Sequence, residues 1–146
     1  MPNLNSTEYA AQLAAAYNGA AMADGNKTSQ SVNFARVRYT LTAAEASADV
    51  LRILQLGPGC TLIPALCSVY CSDPGTVLTG TIGLSTDVDA YSSLLTLDAG
   101  GLFRFVPTTY PTELTEPAIV QMVLGTVTAP TLGAVIEFDL AWTTRH

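Results

Sequence analysis

From residue 32 onward, apolar and polar positions alternate in short runs with a period of two. The clearest run is Ala134 to Thr143, AVIEFDLAWT. Ile136, Phe138, Leu140 and Trp142 fall on one side of it, and Val135, Glu137, Asp139, Ala141 and Thr143 on the other, as in a strand with one buried face. Such a strand needs a second apolar surface to lie on. Val32 to Leu41, Asp49 to Leu56, Thr61 to Ser72, Val77 to Ser85, Leu102 to Val106 and Ala118 to Thr128 supply that surface as further strands. Short strands at this spacing predict an all-β, single-domain β-sandwich of jelly-roll-like kind.

Punctuation between the runs refines this reading. Gly57-Pro58-Gly59 and Asp73-Pro74-Gly75 are turn signals, and Pro64 bends or restarts the apolar run Thr61 to Ser72, because proline cannot donate to a central ladder. Gly80 and Gly83 inside a strand pattern point to a bulge or a close backbone approach. Asp87 to Gly101 fits either a strand or a short helix around Ser92-Ser93-Leu94-Leu95, and Pro107 to Pro117 is loop by composition. The last two strands, joined across Ala129-Pro130-Thr131-Leu132-Gly133, are expected to pair as a hairpin.

Met1 to Ser31 differs from the rest and is read as a separate N-terminal part, with Val32 to His146 as the sandwich domain. Ser6 or Thr7 can cap a short helix in STEYAAQLAAAYNG, which Asn18-Gly19 ends. Tyr9, Leu13, Ala16 and Tyr17 share one face of it. A helix of about three turns is marginal alone in water and needs a surface to dock on, its own sandwich or a neighbouring subunit. Ala20 to Ser31 holds little to bury and reads as an extended arm.

A chain of 146 residues is expected to form one domain without the help of disulfide or metal. Only 12% of its residues are charged, about half the usual share of roughly 25%, which favours a surface that partly faces other protein. The net charge is −6 and the pI about 4.4, with the six basic residues scattered as Lys27, Arg36, Arg38, Arg52, Arg104 and Arg145. No basic stripe forms, so nucleic acid is not an expected partner. No apolar run reaches the ~18 residues of a membrane span, and the start lacks a secretory signal pattern, so the expected site of synthesis is a cytoplasm.

Cys67 and Cys71 on one strand would lie roughly 13 Å apart, beyond the ~7 Å a disulfide spans. The spacing of Cys60, Cys67 and Cys71 also lacks zinc knuckles, and the three are read as buried small hydrophobes. Asp87 and Asp89, with Asp98 nearby, form the best acidic cluster but lack the Gly and closing Glu of a calcium loop. Glu113 and Glu116 could mimic a carboxylate pair without any pocket signature around them. His146, the single histidine, is terminal, and no nucleophile elbow or phosphate loop is present. No cofactor and no enzymatic activity are expected. Arg36 and Arg38, on the strand face opposite Val37 and Tyr39, have two readings, an exposed face or an interface that pairs with a partner's carboxylates.

The order of these features resembles the capsid decoration, or cement, proteins of tailed bacteriophages. The helical start Asn5 to Gly19, the first strand Ala35 to Leu41, the run Asp49 to Cys60 (similar to that group's D-x-I-x-L-x-x-L-P-x-G-A), Thr79 to Ser85 and the closing strand carry the likeness. Gly57-Pro58-Gly59 stands where that pattern has Leu-Pro-x-Gly. The resemblance implies a virion protein, assembled in the host cytoplasm, that binds the outside of the shell. It would bridge neighbouring major capsid protein subunits, as a homotrimer at local three-folds or a dimer at two-folds. It assigns the contacts to Leu4, Tyr9, Leu13, Tyr17 and Lys27 of the N-terminal part and to Arg36 and Arg38. Two other classes compete. One is a head-fibre base, tail component or host-glycan-binding jelly roll using Tyr91, Phe103 and Tyr110 as sugar platforms. The other is a hydrolase acting through Glu113 or Glu116.

Overall fold

The computed structural model describes residues 3–5, 31–97 and 101–145. Ten strands occupy them: β1 (Asn3–Asn5), β2 (Ser31–Thr40), β3 (Val50–Leu56), β4 (Cys60–Leu62), β5 (Ser68–Cys71), β6 (Val77–Leu84), β7 (Ser92–Thr96), β8 (Gly101–Arg104), β9 (Ala118–Thr128) and β10 (Val135–Thr144). Among the described residues the only helical piece is a 3-10 turn at Pro64–Leu66. The expected helix over 6–19 and the expected arm over 20–31 lie outside the described residues except for Ser31, which opens β2 in register with Thr144 instead of ending the arm.

Two sheets form. The first runs β1-β3-β9-β6-β7 and is antiparallel except for β1, which lies parallel to β3. The second runs β2-β10-β5-β8, with β4 also paired to β10. Between them lies one core, in which Leu51, Leu78, Ile82, Val120, Met122 and Leu124 of the first sheet share a cluster with Val37, Val69, Ile136, Phe138 and Leu140 of the second. A sandwich follows from the two-residue period, because each sheet buries one face only.

As its alternation predicts, β10 buries Ile136, Phe138, Leu140 and Trp142. It also organises its sheet, pairing with β2 along its whole length and with β4 and β5 on the other side. Ala141 departs from the pattern: it is buried although its neighbours Asp139 and Thr143 on that face are not. The chain alongside it is broken at Pro64. Between β4 and β5 no strand runs beside Ala141, so its C=O accepts from the Ile63 N–H at 2.8 Å and its N–H donates to Cys67 Sγ at 3.3 Å. The Cys67 thiol in turn donates to the Ile63 C=O at 3.2 Å. Cys67 thus completes an interrupted ladder, a task beyond that of a small hydrophobe.

All three cysteines are free and buried. Burial pushes the Cys67 and Cys71 thiols up to about 11, so both stay protonated at neutral pH.

The expected hairpin between β9 and β10 does not form. β9 pairs with β3 and β6 in the first sheet, while β10 belongs to the second. The backbone at the two ends of the connection is tied to different sheets. Thr76 N–H donates to the Thr128 C=O at 3.2 Å, whereas Leu41 N–H donates to the Ala134 C=O at 2.8 Å. Residues 129–133 therefore carry the chain from one layer to the other. Asp87 to Gly101, open on sequence, supplies β7.

Candidate interaction face

The outer face of the second sheet carries five of the ten large apolar side chains that are exposed among the described residues. Cross-strand register sets Arg36, Asp139, Ser68 and Arg104 in one row and Arg38, Glu137, Tyr70 and Leu102 in the next. Phe34 lies opposite Ala141 in the adjoining row, and Val32 opposite Thr143. Leu66, on the 3-10 turn, faces Phe34 across an open groove of about 510 Å³ over Ala35, Arg36, Asp139 and Leu140. Val32, Phe34, Leu66, Tyr70 and Leu102 are all exposed here, Phe34 to 70%. Phe34 and Leu66 lie on one side of the row of Arg36, Asp139, Ser68 and Arg104, and Tyr70 and Leu102 on the other.

Charge on this face is layered. Arg36 Nε and Nη2 donate to the two carboxylate oxygens of Asp139 at 2.7 and 3.0 Å, and Arg38 Nη2 donates to Glu137 at 3.2 Å. The hydrogen bond to Asp139, then its charge, raises the Arg36 pKa further. The carboxylates lie deeper, with side chains 40% and 19% exposed against 69% and 61% for the two guanidinium groups. A partner approaching this face meets the positive ends first. The carboxylates that hold Arg36 and Arg38 belong to this chain's own β10, so a partner's acidic groups would add to those pairs rather than create them.

Of the other residues singled out in the sequence, Leu4 sits in β1 in register with Leu51. Tyr9, Leu13, Tyr17 and Lys27 lie outside the described residues. Of the proposed sugar platforms, Tyr91 and Tyr110 line one cavity, and Phe103 is not part of its lining. Tyr91 is buried, and burial raises its hydroxyl to about 12. Phe103 packs against the core from β8, and Tyr110 stands 91% exposed on the proline-rich loop. The cavity, of about 300 Å³, lies between that loop and the turn holding Asp87. Glu113 meets Arg145 at 3.7 Å and Glu116 is exposed. Among the described residues no group of three His, Cys, Asp or Glu could hold a metal ion.

The sequence reading missed Phe34, Leu66 and Tyr70. Val32 and Phe34 share the parity of Arg36 and Arg38, which was the available signal. The pairing of Arg36 and Arg38 with β10 depends on register, which the pattern of one strand does not carry.

No family model matches the sequence, and comparison with curated proteins finds no match. Solved structures do match in fold. A chain in the capsid of Ralstonia phage GP4 superposes with a TM-score of 0.76 at 16% identity, covering 99% of both chains. A chain in the cyanophage Pam1 capsid asymmetric unit gives 0.66 at 15% identity, over 88% of this chain and 96% of that one. A chain in the acid-stable capsid of Helicobacter pylori bacteriophage KHP30 gives 0.56 at 10% identity, over 77% and 86%.

Proposed function

We propose that this chain, whose fold is shared end to end with a chain of a phage capsid, is a structural virion protein that sits outside an assembled shell and bridges neighbouring major capsid subunits. The observation that carries the reading is the near-complete mutual coverage with the GP4 capsid chain. Counting β4 and β5 as one interrupted strand, the strands from β2 onward lie in the orders first-eighth-third-sixth and second-seventh-fourth-fifth, which we read as jelly-roll winding. The outer face of the second sheet is the surface we assign to the shell. Its apolar groups would supply the contact area, and its layered charges would set register on the partner.

The role is mechanical, with no catalytic step. Each bound copy adds contacts that exist only in the closed shell, so binding is linked to shell stability, and repetition over a symmetric lattice multiplies the effect. Adding purified protein to closed shells of the cognate capsid protein tests this. Saturable co-sedimentation and a raised shell-melting temperature are expected. Protein that stays in the supernatant and leaves the melting unchanged contradicts the role. A native mass of three chains would support the trimeric form.

A further inference from the structure

Sheet margins invite added strands, and proteins blunt them with short strands, bulges, prolines or charge. Three of the four margins here are blunted in that way. β1 has three residues, β8 has four, and the register of β7 on β6 breaks between Gly80 and Ile82. β2 is different. It has ten residues in unbroken register with β10, contains no proline, and has no strand on its other edge among the described residues. Asp139 and Glu137 hold its two arginines over the sheet, and both guanidinium groups stay more than half exposed there.

Hydrogen-bond parity shows which groups this edge presents. Leu41 N–H bonds to the paired Ala134 C=O, so the odd-numbered residues of β2 turn toward β10. β10 agrees: the Val135 and Ala141 carbonyls accept from Ser72 and Ile63 on its opposite side. The N–H and C=O groups of Val32, Phe34, Arg36, Arg38 and Thr40 therefore point outward from the open edge, and the same residues carry the exposed side chains.

We infer that β2 accepts an extended segment of another protein as an added strand. That segment bears apolar side chains opposite Val32 and Phe34 and acidic ones opposite Arg36 and Arg38. A second copy of β2 fits poorly. Laid parallel it sets each arginine against its equal, and laid antiparallel about its middle it gathers both arginine pairs at the dyad, an arrangement like charges oppose. The backbone supplies affinity and the alternating side chains supply choice of partner. The inference rests on the proposed function only for the source of the strand, an extended segment of a capsid subunit.

Two measurements on the full chain test it. In the first, synthetic peptides alternate threonine with two valines followed by two acidic residues, made in both chain directions, and are titrated against matched peptides carrying lysine in place of the acids. The acidic form is expected to bind roughly tenfold or more tightly. Arg36→Pro, which removes an outward N–H without taking a ladder bond, is expected to lose about tenfold more than Arg36→Ala. The melting temperature of each free variant is checked first, and if Arg36→Pro does not fold, the peptide comparison decides. Acidic and lysine peptides that bind alike, or fail alike, overturn the inference. In the second, amide hydrogen exchange compares free and shell-bound protein. Protection of the amides of Val32, Phe34, Arg36, Arg38 and Thr40 on the shell is expected. Shell binding that leaves them exchanging as in the free protein overturns strand addition while the capsid role stands. Peptide selectivity without shell binding removes the capsid role and leaves strand addition standing.

Discussion

Phe34→Ala separates binding from folding more cleanly than any other change on the exposed face. Phe34 is 70% exposed in the free chain, so its ring contributes little to the core. A phenylalanine side chain offers roughly 200 Å² for burial, and 70% of that is about 140 Å² still open to a partner. At about 25 cal/mol per Å², covering it yields up to ~3.5 kcal/mol. Ordering costs at an interface reduce the return, and a loss of about 2–3.5 kcal/mol corresponds to roughly 30- to 300-fold weaker binding. The free protein should lose less than about 1 kcal/mol, a change confined to strand propensity. The assay is equilibrium binding to closed shells, with thermal melting of the unbound variant in parallel. Leu94→Ala is the control, since Leu94 is 63% exposed on β7 of the opposite sheet. If Phe34→Ala binds shells as well as the parent, or Leu94→Ala loses as much, the second-sheet face is not the contact surface.

Other expectations concern what holds the sandwich together. Cys67→Ala leaves the buried Ala141 N–H without an acceptor and should cost about 1–3 kcal/mol in urea unfolding. Cys67→Val refills the volume but restores no acceptor, so it should cost about as much, and a Val variant as stable as the parent would show that packing alone matters. Burial alone would push the Glu45 carboxyl up, but the Thr42 and Glu45 N–H groups and the Thr42 and Tyr39 hydroxyls outweigh it and hold its pKa below the usual range. Its stabilising effect is therefore present above the unfolded carboxyl value of about 4.3 and fades as pH falls through the lower folded value. Denaturant titrations should show the acid-side slope reduced in Glu45→Gln, and an unchanged slope counts against this role. A Cβ at Gly83 would overlap the backbone of Asp87, Val88 and Ala90, so Gly83→Ala should lose about 1–3 kcal/mol or more by thermal melting.

The sandwich was legible in the sequence because a strand with one wet face must alternate, and β10 does so over nearly its whole length. Gly80 and Gly83 also carried their meaning. The register of β6 on its two neighbours shifts around Gly80, and Gly83 lies against the turn that follows. The bulge in β3 left a trace too, since the buried phase changes at the adjacent pair Ile53 and Leu54, where the register on β9 shifts. What alternation does not encode is which strands are neighbours. β9 and β10 look like a hairpin because five residues separate two good strands, yet that connection spans the layers. The interaction face was half visible for the same reason. Arg36 and Arg38 could be placed on an outer face, but their union with Asp139, Glu137, Leu66, Tyr70 and Leu102 depends on tertiary pairing.

Electron cryo-microscopy of closed shells incubated with the purified protein tests the capsid assignment most directly. Density for the sandwich on the shell exterior is expected, with the second sheet toward the capsid subunits, Phe34 covered and an added strand beside β2. A shell surface without that density, or a sandwich held through the outer face of the first sheet with Phe34 still in solvent, would contradict it.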